Sequence, residues 1–250
     1  MPVPAVAPGE PTPQASAHAR GYRYYDLLLG AFVAVLLCSN LIGPAKAASL
    51  TVGGHRITFG AGNVFFPIAY IFGDVLTEVY GYARARRAIW AGFGAMAFAS
   101  GMAWVVIHLP PAPDEPHNRG LQGAIELVFG NTWRIASASL AAYWCGDFVN
   151  SFVLAKMKIL TGGRFLWTRT VGSTVAGQFV DSVLFYPAAF AGIWTGQTLA
   201  RVVVFNWLFK VTVEVVLTPL TYLIVNRLKR AEDEDYYDRD TDFTPFSLKD

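Results

Sequence analysis

Charge is what this sequence has least of. Asp, Glu, Lys and Arg together make up 15% of its 250 residues, where a soluble domain carries roughly a quarter. The remainder is largely apolar, at 54% hydrophobic residues with a mean hydropathy of +0.37, and it falls into long runs. That combination argues against a soluble enzyme and for a chain that lives in lipid. Cysteine is almost absent. Cys38 and Cys145 both sit inside apolar runs, so each reads as a small packed hydrophobe and not as half of a disulfide. Histidines number four, and His55, His108 and His117 show no metal-ligand spacing. No phosphate-binding loop, GxSxG or HExxH motif is present. The chain therefore cannot itself draw on ATP, and neither a cofactor nor a metal is expected. Ser173, Asp181 and Ser182 lack a histidine at matching depth, so they form no triad.

The apolar runs are long enough for six membrane helices, near residues 24–43, 64–81, 88–109, 134–155, 171–193 and 202–226. The predicted fold is all-α and polytopic. Residues 1–23 form a Pro- and Ala-rich extension expected to be disordered and cytoplasmic, residues 24–226 the transmembrane domain, and residues 227–250 a basic stop followed by an acidic tail. No basic n-region precedes an apolar core at the N-terminus, so no cleaved signal peptide is read there. "SLTVGGHRITFGAG" alternates about Gly53-Gly54 and predicts a short hairpin. "LQGAIELVFGNTW" predicts an interfacial helix.

Lysine and arginine set the orientation. Twelve fall on one side: Arg20, Arg23, Arg84, Arg86, Arg87, Lys156, Lys158, Arg164, Arg169, Arg227, Lys229 and Arg230. Five fall on the other: Lys46, Arg56, Arg119, Arg134 and Arg201. Both termini are expected in the cytoplasm. Beyond Ala231 the tail has eight acidic and two basic residues, a charge of −6 against +8 for the rest. It reads as a solvated, disordered segment. The basic body reads as topology, and no nucleic-acid partner is expected. Tyr80, Tyr82, Trp133 and Trp194 are expected as interface anchors.

Against this background the polar residues inside the spans stand out. They are Asn40, Asp74, Thr77, Glu78, Asp147, Asn150, Gln178, Asp181, Asn206, Lys210 and Glu214. Each ionisable group costs at least about 2.5 kcal/mol at the bilayer centre, so a shared polar cavity is the economical explanation. "GDFVNS" (146–151) and "GQFVDS" (177–182) repeat one pattern with acid and amide exchanged. Internal repeats of this kind mark transporter sites. A carboxylate accepts the adjacent N–H and NH₂ of a guanine-like edge, and an amide serves the neighbouring carbonyl. Phe179, Tyr186, Phe65 and Tyr70 are candidates to stack on a flat ring. Structural roles compete at several positions. Asp74 and Glu78 have Arg86 and Arg87 as nearby counter-charges, Lys210 and Glu214 are spaced for an intrahelical pair, and Asp147 has Arg134 or Lys210. Asn40 is also suited to a purely interhelical hydrogen bond.

Four segments carry a resemblance: "SNLIGPAKAASLTVGG", "FGAGNVFFPIAYIFGDVLTEVYGYARARRAIW", "RIASASLAAYWCGDFVNSFVLAKMK" and "WTRTVGSTVAGQFVDSVLFYPAAF". The most specific element is D-x-x-T-E-x-Y-G-Y-x-x-A-R, from Asp74 to Arg86. Across about residues 25–226 the chain resembles the queuosine precursor transporters, also called the vitamin uptake transporter family. The N-terminal extension and acidic tail lie outside that pattern. The resemblance implies a six-helix, multi-pass carrier of the cell inner membrane, not an enzyme. It would import the deazapurines 7-cyano-7-deazaguanine (preQ0) or 7-aminomethyl-7-deazaguanine (preQ1). Transport would be secondary or facilitated; the substrate-binding subunit of an ATP-driven importer and, further off, a membrane-embedded enzyme are the alternatives, and a homodimer is open. On this reading Asp74, Asn150, Gln178, Asp181, Asn40 and Phe179 contact substrate. Glu78, Arg134, Asp147, Lys210 and Glu214 form a gating charge network.

Overall fold

The computed structural model describes residues 21–42, 47–52, 54–60, 65–112, 118–130 and 133–247. The N-terminal extension up to residue 20 lies outside the described residues. The chain folds as helix α1 (Tyr25–Leu37) closed by a π-helical turn (Cys38–Ile42), strands β1 (Ala47–Val52) and β2 (His55–Gly60), and helices α2 (Phe66–Tyr80), α3 (Tyr82–His108), α4 (Asn118–Phe129), α5 (Trp133–Leu160), α6 (Leu166–Phe190) and α7 (Gly196–Glu232). The expected hairpin forms, with Val52 opposite His55, and so does the short helix α4.

Pro67 in the first turn of α2 supplies a fixed φ where no helical N–H is needed. The arginine-rich stretch after α2 is not a loop, as the span boundary at 88 implies. Gly81 alone breaks the chain, at φ 84° and ψ 169°, a conformation that costs glycine little. Helix α3 then starts at once, so Arg84, Arg86 and Arg87 lie in its first two turns. Gly81 also leaves room for a neighbour, because a Cβ there would strike the ring of Tyr236.

Helices α5 and α6 form the most extensive pair, and the six-residue echo is their crossing point. A Cβ on Gly177 would lie 2.7 Å from Asn150 Cβ, and one on Gly146 would lie 2.9 Å from Asp181 Cβ. Each glycine receives the fifth residue of the other copy, a reciprocal small-residue contact. The repeat therefore sets Asn150 level with Gly177 and Asp181 level with Gly146, one helical turn apart on facing helices.

Polarity is inverted relative to a soluble protein. Asp74, Glu78, Arg86, Lys158, Arg169, Gln178 and Glu214 are buried, while Phe98, Trp104, Phe205, Leu208 and Val216 are exposed on the outer faces of α3 and α7. Helices α3 and α7 are each long and apolar enough to cross a membrane. A polar interior inside an apolar jacket is the arrangement of a chain surrounded by lipid.

The acidic tail departs from expectation. Residues 233–247 do not extend into solvent but fold back over the basic end of the bundle. Tyr82 N–H donates to Asp238 at 3.0 Å, Arg86 Nη1 donates to the carbonyls of Asp242 (2.7 Å) and Thr244 (2.9 Å), and Trp90 Nε1 donates to Pro245 O at 2.8 Å. Lys156 sits over the Phe243 ring at 3.7 Å. Tyr80 and Tyr82 are consequently buried, bonded to Glu232 and to Phe243 O, and do not serve as interface anchors. Trp194 stacks on Phe190 at 4.0 Å; the Trp133 side chain lies outside the described residues.

Candidate functional site: a blind cavity above a charged seal

All six long helices line one cavity of about 910 Å³. Its rim includes Trp104 and His108 of α3 and Glu126 of α4, all exposed. Its floor, formed by Leu76, Ala85, Ile89 and Ser151, is buried. The cavity thus opens at the end away from the arginines and is closed at the basic end.

The walls hold the exchanged acid and amide pairs. Lys210 Nζ meets Asp181 Oδ2 at 2.6 Å and lies over the Phe66 and Tyr70 rings at 5.3 and 5.8 Å. Tyr70 donates to Gln178 Oε1 at 2.9 Å, which occupies that carbonyl and leaves the Gln178 amide N–H groups for a ligand. Asn150 Nδ2 donates to Asp74 Oδ1 at 2.9 Å, and its own Oδ1 has no donor. Asp147 lines the cavity, and none of the described residues donates a hydrogen bond to it. Asn40 also lines it, with Nδ2 bonded to Leu36 O at 2.9 Å and Oδ1 near Ser139.

Several sequence expectations need correction here. Asp74 is fully buried and stands behind Asn150, outside the cavity lining. Phe179 points outward, half exposed and edge-on to Trp207 at 5.8 Å; it lies one residue, or 100°, round the helix from Gln178. Phe65 is likewise off the lining. Aromatic walls come instead from Tyr70, Phe66, Tyr186 and Phe185. Lys210 turns to Asp181 on α6 and does not pair with Glu214 along its own helix. Among the described residues Arg134 joins no charge network; it donates to the carbonyls of Ala188 (2.7 Å) and Ala191 (2.6 Å) at the end of α6. Asp147 is accordingly not its partner.

Below the floor lies a second cluster. Glu78 pairs neither with Arg86 nor with Arg87. Arg169 reaches it through a two-pronged contact, Nε and Nη2 each at 2.7 Å, a geometry that matches a carboxylate. Lys229 Nζ adds a contact at 2.6 Å and Lys158 one at 3.4 Å. Both lysines also hold Asp235 of the tail, at 2.7 and 2.6 Å. Burial opposes the Asp235 charge, yet these two ammonium groups keep its carboxyl below the ordinary range. Five charged groups from α2, α5, α6, α7 and the tail are thereby joined. Lys158, Arg169 and Lys229 carry no distinguishing signal in the sequence beyond their contribution to topology. Their one clue is that three basic residues share an end with a lone acid, Glu78, set inside an apolar span.

Comparison with known proteins agrees with this architecture. Residues 60–224 match the family described as "Putative vitamin uptake transporter". The chain is 30% identical over 187 residues to the "Probable queuosine precursor transporter" of Bacillus subtilis (strain 168), covering 74% of this chain and 78% of that protein. It is 26% identical over 192 residues to the "Queuosine precursor transporter" of Escherichia coli (strain K12), covering 74% and 80%. Both relatives are named as transporters and not as enzymes. No solved structure matches the chain. With its membrane-type interior, a large cavity lined by every long helix and this match over most of its length, the chain belongs to the vitamin uptake transporter family.

Proposed function

We propose that this protein imports queuosine precursors, the 7-deazaguanines preQ0 and preQ1, across the cell inner membrane as a secondary or facilitated transporter. Six helices cross the bilayer with both termini in the cytoplasm. The basic end, which bears twelve of the topology-marking Lys and Arg residues, faces the cytoplasm. The cavity then opens outward, and the Glu78 cluster is the closed inner gate.

The observation that carries this reading is the cavity's surplus of acceptors. Asp147 takes no hydrogen bond from any described residue, and Asn150 Oδ1 is buried without a donor. A deazaguanine edge brings N1–H, an exocyclic NH₂ and the pyrrole N–H. Asp147 and Asn150 accept from these, the free amide of Gln178 donates to the ring carbonyl, and Tyr70 and Tyr186 flank the ring plane. Asp74 acts through Asn150, whose amide it orients, and is therefore a positioning residue. Buried acceptors left unpaired penalise a ligand without those donors. A closely related base whose donor edge is blocked by N-methylation should accordingly bind much more weakly.

The test is twofold. Purified protein is titrated with preQ0, preQ1, guanine and an N-methylated guanine. Uptake is then followed in cells unable to make queuosine, as the modified fraction of their tRNA. Binding confined to ligands with the intact edge, with Asp147→Asn reducing uptake at least about tenfold, is the expected result. Equal binding of the N-methylated base would overturn the assignment. Uptake that needs a copurifying ATPase would favour the importer-subunit alternative.

A further inference from the structure

Two acids in the bundle have no counter-charge among the described residues. Asp74 of α2 is completely buried, and only its Oδ1 accepts a bond, from Asn150. Glu214 of α7 is 1% exposed, and neither of its carboxylate oxygens has a donor. The charges acting on Asp74 are those of Glu214 first, then Glu78 and Asp147, all negative. Helix α5 offers it Asn150 and Asp147, and α7 offers Glu214. Glu78 on its own helix is already matched by Arg169, Lys229 and Lys158. The cation nearest to Glu214 in sequence, Lys210, is committed to Asp181.

Two carboxylates in each other's field, both out of water and without a cation, cannot both be ionised. The ion pairs agree. Among the described residues, Lys158, Arg169, Lys210 and Lys229 pair with Glu78, Asp181 and Asp235, and no ion pair reaches Asp74 or Glu214. We propose that Asp74 and Glu214 form a proton-binding pair that couples substrate movement to a proton, so that the protein is a proton symporter. This inference rests on the transport reading given above.

The pair is well placed for the task. It lies between the cavity, through Asn150, and the gate, through Glu78 one turn along α2. Its two members stand on α2 and α7, the helices that Glu78 and Lys229 also tie together. With one proton bound, the pair carries a single negative charge and α2 and α7 stay together. When the gate opens and that proton passes to water on the basic side, two like charges face each other across the α2–α7 contact. The empty carrier returns with the pair unprotonated, and a proton from the cavity side must rejoin the pair before the next ligand-loaded opening. One proton moves from the cavity to the basic side per cycle, and no bond in the substrate changes.

The experiment uses the full chain in proteoliposomes with radiolabelled 7-cyano-7-deazaguanine, which carries no ammonium group and so isolates the protein's own proton. Uptake is compared with and without a pH gradient of one unit, inside alkaline. Coupling to one proton allows accumulation of up to about tenfold over the outside concentration, and alkalinisation of a weakly buffered exterior should accompany ligand entry. Glu214→Gln should still equilibrate ligand but not accumulate it, and Asp74→Asn, which also alters the hold on Asn150, should lose accumulation. Equilibration without accumulation by the unaltered protein overturns the inference and leaves the transport reading standing. Accumulation by both variants equal to that of the unaltered protein also overturns it, by removing the proton from this pair. Failure to bind or move either deazaguanine overturns the transport reading itself, and the inference with it. Should one variant fail to fold, the gradient measurement on the unaltered protein still decides.

Discussion

Asp74 and Glu78 are one helical turn apart on α2, and their surroundings are opposite. Glu78 is held by one arginine and two lysines drawn from three other helices. Asp74 is held by a single amide and faces further acids. The lower carboxylate belongs to a closed, fully paired seal, and the upper one to a site left short of donors. Charge that is matched within the protein holds a conformation, whereas charge left unmatched invites a ligand or a proton to complete it.

The largest effect that would test this contrast is on stability. Glu78→Gln leaves Arg169 without its carboxylate and Lys158 and Lys229 with Asp235 alone, and should destabilise the fold by about 3–5 kcal/mol, the usual result of removing one member of a buried ion pair. Thermal unfolding in detergent would read it as a large fall in midpoint. Asp74→Asn, by contrast, removes a carboxylate that has no cation. It should leave the midpoint unchanged or slightly higher while abolishing gradient-driven uptake. A comparable loss of stability in both variants would erase the distinction between seal and site.

A smaller effect is expected at the crossing of α5 and α6. Gly177→Ala forces a methyl against Asn150 Cβ and the Gly146 carbonyl, an overpacking worth about 1–3 kcal/mol. Because Asn150 moves with it, ligand affinity should fall further than it does for Phe179→Ala, which faces outward. Isothermal titration of the two variants ranks them, and equal affinities would separate the crossing from the site.

The smallest effect concerns the tail. Asp235→Asn loosens a half-exposed contact and should cost no more than about 1 kcal/mol. Its pH dependence has a definite sign. Lysine contacts depress the Asp235 carboxyl, so its contribution is complete above the ordinary aspartate pKa of about 3.9 and is lost only as pH falls below that. Asp238, raised by burial, works in the opposite direction. Proteolysis of the tail should be unchanged from pH 8 to pH 5, and a sharp rise in cleavage already at pH 5 would contradict the assignment.

Much of this was legible from sequence through periodicity and spacing. The long helices, the hairpin at Gly53-Gly54, helix α4 and the paired echo all follow from local pattern. The echo's meaning was half readable: three-residue spacing puts acid and amide on one face, but that the two faces touch through Gly146 and Gly177 requires both helices in place. Partners were the least readable feature. Glu78 has Arg86 and Arg87 as its nearest cations along the chain, yet Gly81 turns the backbone between them and Arg86 serves the tail. Its true partners lie 80 to 151 residues away. The tail looked soluble because its composition is acidic, and composition carries no information about which buried lysine waits for Asp235. Phe179, however, could have been set aside by helical geometry alone, since Gln178 and Asp181 define an inward face that it does not share.

The docked tail also has a consequence in time. It is the last part of the described chain to leave the ribosome, after every helix has been made. Until residues 233–247 arrive, Lys158 and Lys229 lack Asp235, and Tyr82 and Arg86 lack the groups that cover them. The newly inserted bundle therefore passes through a stage in which its basic end is uncovered. Closure of that end therefore follows synthesis of the helices and is a step separable from their insertion into the membrane.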